Sequence, residues 1–166
     1  MAISSYIKTL RRHIGRELLI LPSVTAIIFD ESNRVLLARH ADTKQWVAPG
    51  GSIEPNEKPV EALIRETLEE TGLRVKPTKI LGVFGGPEFE VIYSNGDRVT
   101  YVMTVYECKI VGGELKPDNS ETLELRHIGA ADLDDLELAR WARVVLPEIY
   151  ASRNDSKASA DIEHDG

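Results

Sequence analysis

Apolar positions recur at helical spacing in three stretches of the chain, and β-type runs fill the space between them. Ile7, Leu10 and Ile14 share one face of a short helix predicted over residues 5–14, with Gly15 as its stop. The apolar run 18–21 ends at Pro22 and predicts an edge strand or a dimer contact. Residues 23–29 are rich in Val, Ile and Thr and predict a core strand; turn residues follow at 30–33, and 35–38 return as the hairpin partner. A second helix is predicted from Pro59 to Gly72, with Val60, Ile64, Thr67 and Thr71 on the side that packs against a sheet. Residues 79–84 predict a strand broken by Gly85-Gly86-Pro87. Residues 89–93 and 99–107 predict a hairpin with Asn95-Gly96 at its tip, and 109–111 extend its second strand. A polar loop over 118–124, a helix start at 132–136 and an amphipathic helix over 138–150 close the pattern. The expected organisation is an N-terminal helix and lead-in over 1–22, one α/β domain over 23–150, and a small, polar, disordered tail over 151–166.

Composition narrows the function classes. A chain of 166 residues with 42% hydrophobic and 28% charged residues reads as one soluble globular domain. Its formal net charge of −7 argues against a basic nucleic-acid-binding surface, yet leaves room for an anionic nucleotide where a metal ion reverses the local sign. Cys108 is the only cysteine, which excludes an internal disulfide, predicts a buried strand residue and suits a reducing cytoplasm. No apolar run reaches the ~20 residues of a membrane span, and the N-terminus lacks the pattern of a secretory signal.

The second helix carries the chemistry. Glu66, Glu69 and Glu70 lie within about a third of its circumference, Arg65 stands among them, and Glu57 marks the helix entry. Like charges so close repel one another, and carboxylate oxygen is the ligand that Mg²⁺ or Mn²⁺ prefers. The group therefore reads as a metal platform. A solvated acidic face is the competing reading for the glutamates taken alone.

The full pattern is Gly51, five residues, Glu57, seven residues, Arg65-Glu66, two residues, Glu69-Glu70, one residue, Gly72 and the apolar Leu73. It resembles the signature of the Nudix (MutT-like) hydrolases. Every polar and glycine position matches, and Thr67 alone departs, in an apolar packing slot.

The resemblance implies a Nudix-type α/β/α sandwich, with a mixed β-sheet between helices. It implies hydrolysis of a nucleoside diphosphate linked to another group, supported by Mg²⁺ or Mn²⁺. Glu66, Glu69, Glu70 and the Gly50 carbonyl are the implied metal ligands. Arg65 is implied to hold Glu57 in place. Glu69 is the first candidate for the general base; Glu121 in the polar loop is the second, with Glu124 as its alternate. Phe84, Tyr93, Arg98 and Tyr101 join Glu57 as substrate-binding candidates, although cross-strand packing equally suits the tyrosines. His40 is a candidate substrate contact, with a surface histidine the favoured reading. Pro87 lies near the place where ADP-ribose hydrolases of the family carry a proline, so a nucleotide sugar ranks slightly above a nucleoside triphosphate. A homodimer and a non-catalytic nucleotide-binding module are the remaining expectations.

Overall fold

The computed structural model describes residues 4–164, and of 156–164 the backbone alone. Helix α1 (Ser5–Ile14) is capped by Ser4, whose Oγ accepts from the Ile7 N–H at 3.2 Å. Strands β1 (Leu19–Ile28), β2 (Val35–His40), β3 (Trp46–Val47) and β4 (Gly50–Ser52) lead into α2 (Pro59–Thr71). Strand β5 (Leu73–Phe84), a 3-10 turn at Pro87–Phe89, β6 (Glu90–Ile92), β7 (Arg98–Gly113) and β8 (Thr122–Ile128) follow. A second 3-10 turn (Ala130–Asp135) then precedes α3 (Arg140–His164). One sheet runs β4-β1-β7-β5, with β6 also beside β7; a second runs β3-β2-β8. The first sheet is mixed, because β1 and β7 are parallel while its other pairs are antiparallel.

Strand alternation gives the sheet two faces. Val24, Ala26 and Ile28 of β1, with Tyr106 and Cys108 of β7, pack under Ala62 and Leu63 of α2. Ile27 of β1 with Met103 and Val105 of β7 face the other way, against Trp141, Ala142, Val145, Leu146 and Ile149 of α3. The α/β/α sandwich implied by the resemblance is thus the observed architecture. Cys108 is buried as predicted, and burial pushes its thiol up to about 12.

Five sequence expectations change. The run 18–21 is no separate edge strand, because β1 continues through Pro22. The Pro22 carbonyl accepts from Ile53 N–H at 3.1 Å on the β4 side, so its nitrogen also faces away from β7 and costs that ladder no donor. Strand β5 begins at Leu73 rather than 79: Leu73 and Val75 alternate inward, and Pro77 sits at a bulge that tolerates it. Helix α2 buries Ala62, Leu63, Glu66, Thr67, Glu70 and Thr71, whereas Val60 is exposed and Ile64 half-buried. The hydroxyl of Thr67 donates to the Leu63 carbonyl at 2.7 Å, so the off-pattern residue is fully satisfied. Much of the polar stretch before Ile128 is strand β8, paired with β2. Finally, α3 stays helical beyond Tyr150, where a disordered tail was expected. Arg153 explains the first added turn: its guanidinium stacks 4.0 Å over Phe29 and donates to Asn33 Oδ1 at 2.6 Å and Glu107 Oε1 at 2.8 Å.

Gly72 ends α2 in the left-handed conformation, at φ 73°, and its N–H donates to the Leu68 carbonyl at 2.9 Å. A Cβ there would overlap the Glu114 carbonyl oxygen. Gly72→Ala is expected to destabilise the protein by about 1–3 kcal/mol from the backbone conformation alone, read as a lower urea midpoint at unchanged slope.

Candidate functional site

The site forms where β4 meets the buried side of α2. Gly50 pairs with Thr25 in the antiparallel β1–β4 ladder, flanked by the bonded rungs at Pro49 and Gly51. It therefore occupies a rung that turns its N–H and carbonyl away from β1. That N–H donates to Glu70 Oε2 at 2.9 Å. Gly51 has a different need: a Cβ on it would run into the Glu66 carboxylate, with Glu66 Oε2 only 2.7 Å from the added atom. The glycine pair is thus the cradle for two acids of the next helix.

Arg65 organises the other side. Its Nε and Nη2 grip the Glu57 carboxylate at 2.7 and 2.8 Å, and Nη1 reaches Glu66 Oε1 at 2.8 Å and Glu69 Oε2 at 3.4 Å. Nη2 also donates to the Ser52 carbonyl at 3.3 Å, tying β4 to the helix entry. Glu57 takes a further bond from the Glu54 N–H at 3.0 Å. The two-pronged contact with Arg65 holds the Glu57 carboxyl below the usual range. The expectation that Arg65 fixes Glu57 describes this geometry.

Glu66 and Glu70 shift the other way from Glu57. Burial raises the Glu66 carboxyl, against the pull of Arg65. Burial pushes Glu70 up to about 8, offset in part by the Gly50 N–H. Glu69 is mostly exposed. Among the described residues, no group of three or more His, Cys, Asp or Glu side chains is positioned to hold a metal ion. The expected joint placement of Glu66, Glu69 and Glu70 is therefore not observed. The Arg65 guanidinium stands between Glu66 and Glu69 and supplies the counter-charge, while Glu70 turns to β4. The donor chemistry still fits a hard divalent cation: oxygen ligands only, two of them buried, in a backbone cradle that a Cβ would fill.

Two adjoining cavities open beside this arrangement. The smaller, about 110 Å³, is lined by Gly50, Gly51, Glu70 and Glu121. The larger, about 230 Å³, lies under α1. His40, Tyr93 and Tyr101 line both. The Tyr93 and Tyr101 hydroxyls are 2.7 Å apart, and burial raises both phenols. Glu121 thus joins the Glu70 side, as its place in the loop before β8 suggested. Glu124 is paired with Arg126 instead. His40, expected at the surface, is half-buried between the cavities, and burial lowers its imidazole. The polar neighbours in its sequence concealed this, and no local signal could have revealed it. Phe84 and Arg98 line neither cavity. Phe84 stacks on Phe89 at 6.4 Å, beside the α3 core, and Arg98 pairs with Glu90 at 2.7 Å. Pro87 starts a 3-10 turn and lines neither cavity.

Comparison with known proteins adds a family. A model of the NUDIX domain matches residues 19–149. The chain is 35% identical over 100 residues to a MutT-like protein of Streptomyces ambofaciens, covering 60% of this chain and 58% of that protein. It is 44% identical over 61 residues to the RNA pyrophosphohydrolase of Halorhodospira halophila (strain DSM 244 / SL1), covering 37% of this chain and 34% of that one. The matches therefore span less than two thirds of either relative. The crystal structure of a MutT protein from Methanosarcina mazei Go1 superposes with a TM-score of 0.67 at 24% identity, covering 83% of this chain and 97% of that one. That likeness is one of fold.

Proposed function

This chain belongs to the NUDIX family, and on that premise we propose that it is a divalent-metal-dependent pyrophosphohydrolase acting on a nucleoside diphosphate derivative. The products are a nucleotide and the phosphorylated remainder. One observation carries this reading: Glu66 and Glu70 are buried against the Gly50–Gly51 edge, beside a cavity that Glu121 also lines.

Glu66 and Glu70, with Glu69 and the Gly50 carbonyl at their margin, would hold Mg²⁺ or Mn²⁺. Bound there, the ion would neutralise the pyrophosphate and polarise its phosphorus. Everything else falls to the chain. Arg65 keeps Glu57 and Glu66 oriented. In the hydrolysis, a water oxygen bonds to one phosphorus, the bridging P–O bond breaks, and the water's proton passes to a carboxylate. Glu121, which shares a cavity with Glu70, suits that base role better than the exposed, Arg65-bonded Glu69. The substrate would be a nucleotide sugar such as ADP-ribose, or a nucleoside triphosphate. The name of the Halorhodospira relative supports pyrophosphohydrolysis as the reaction type.

The alternative is a nucleotide-binding module without turnover. A panel of nucleoside diphosphate sugars, dinucleoside polyphosphates and nucleoside triphosphates separates the two. With Mg²⁺ or Mn²⁺, at least one is expected to release a mononucleotide, with the rate abolished by chelator and restored by metal. Binding across the panel with no hydrolysis would leave the module reading in its place.

A further inference from the structure

We propose that the cavity beneath α1 is a nucleoside subsite, which receives the base and ribose of the substrate while its anhydride lies beside Glu70. The inference rests on the hydrolase reading and adds where the uncharged half of the substrate goes.

Position comes first. The cavity meets the smaller one at His40, Tyr93 and Tyr101, so a molecule lying by Glu70 and Glu121 extends past the paired tyrosines into it. At about 230 Å³ it is smaller than the roughly 300–1,000 Å³ of pockets for drug-sized ligands, and suits one compact moiety.

Charge decides what that moiety is. Asp42, Glu54 and Asp97 line the cavity, and Arg11 is the guanidinium among its lining residues. Arg11 is already engaged: its Nη atoms donate to the carbonyls of Gly15 at 3.1 Å, Glu17 at 2.6 Å and Arg98 at 2.7 Å. A phosphate there would face three carboxylates with little counter-charge, whereas amino and hydroxyl groups find acceptors. The remaining lining, Tyr93, Tyr101, Ile7, Leu21 and Val99, suits a flat ring. Arg11 Nε, buried in this wall, has no hydrogen-bond acceptor among the described residues, and Asp97 Oδ2 stands 3.5 Å away.

The wall also reaches outside the matched domain. The NUDIX match begins at residue 19, so α1 lies outside the matched domain. No residue of α1 is fully buried, and Arg11 clasps the helix to the turn after it and to the β6–β7 hairpin. Substrate choice at this site is therefore set in part by a segment outside the matched domain.

Two measurements test the proposal. The first titrates the full chain, without metal, with adenosine, guanosine, cytidine and uridine, using ribose and inorganic phosphate as controls, and follows backbone amide shifts by NMR. At least one nucleoside is expected to shift the amides of Ile7, Asn95 and Val99, with phosphate leaving them unmoved. No shift from any nucleoside, or shifts confined to Gly50 and Gly51, overturns the subsite. The second replaces Ile7→Trp to fill the cavity. KM for the preferred nucleotide substrate is expected to rise at least tenfold with kcat within about twofold, and an unchanged KM overturns the subsite. The nucleoside titration stands even if that variant fails to fold. A chain that binds a nucleoside under α1 but hydrolyses nothing refutes the hydrolase reading alone. One that hydrolyses nucleotides, binds no nucleoside and ignores Ile7→Trp refutes the subsite alone.

Discussion

Glu70→Gln is expected to lower turnover roughly 10²-fold or more, the scale on which losing one charged group from an active site shows, while the fold stays at least as stable. The two halves of this prediction share a cause. Burial favours a neutral group at this position, and glutamine is the neutral isostere of the protonated acid. Its amide oxygen keeps the bond from the Gly50 N–H, seen at 2.9 Å in the wild-type chain. What it loses is the capacity to become an anion when a cation arrives. The same burial sets a pH dependence in metal-free protein. Glu70 titrates at about 8 when folded, against 4.5 for the ordinary carboxyl. Below the lower value both states are protonated and nothing is lost. As pH rises through the window, the unfolded chain ionises first and stability falls, by about 1.4 kcal/mol per unit at most. Above about 8 the loss is complete and constant. Thermal unfolding of metal-free protein from pH 5 to 9 should show this decline in wild type and a shallower one in Glu70→Gln. Equal slopes, or full activity in the variant, would remove Glu70 from the site.

Arg65→Ala should cost both stability and rate. The substitution leaves Glu57 and Glu66 without the guanidinium that bonds them, and frees the Ser52 carbonyl. Removing one partner of a fully buried pair costs about 3–5 kcal/mol. Arg65 keeps 32% of its side-chain exposure, so solvent screens part of the loss and about 2 kcal/mol is the expected figure. For a domain of this size that corresponds to a fall in Tm of roughly 4–8 °C. Misorientation of Glu57 and Glu66 should lower kcat/KM about 10- to 100-fold. Arg65→Lys should recover little, because one ammonium cannot grip both oxygens of Glu57 while reaching Glu66. Wild-type Tm and rate in Arg65→Ala would show the network to be idle.

Much of the site was legible because its parts are close in sequence. The stretch from Gly50 to Leu73 holds the glycine pair, Glu57, Arg65 and the acids within one strand-to-helix unit, so their pattern is readable and its resemblance implied the Arg65 grip on Glu57, while the burial of Glu66 and Glu70 was not read from it. The rest was not local. Which arc of α2 is buried depends on where β1 and β5 lie, and the apolar Val60 misled because it sits in the exposed first turn. Strand β8 was hidden by its polar outward residues; its partner β2 lies over 80 residues earlier, and pairing decides strand more than propensity does. Phe84 and Arg98 were drawn to the site by residue type, but the register of β5 and β6 on β7 takes one to the α3 core and the other to Glu90. The role of α1 as a wall was also unreadable, since Arg11 joins segments 87 residues apart.

The parallel ladder at the centre of the sheet has a consequence for how the molecule is made. Leu19 pairs with Val99 and Ile28 with Cys108, a constant offset of 80 residues. On a ribosome adding about 5–20 residues per second, β1 therefore waits roughly 4–16 s for its neighbour. During that interval Val24, Ala26, Ile27 and Ile28, all buried in the finished protein, have no β7 to lie against. Chaperone demand on newborn chains should peak before Cys108 has emerged.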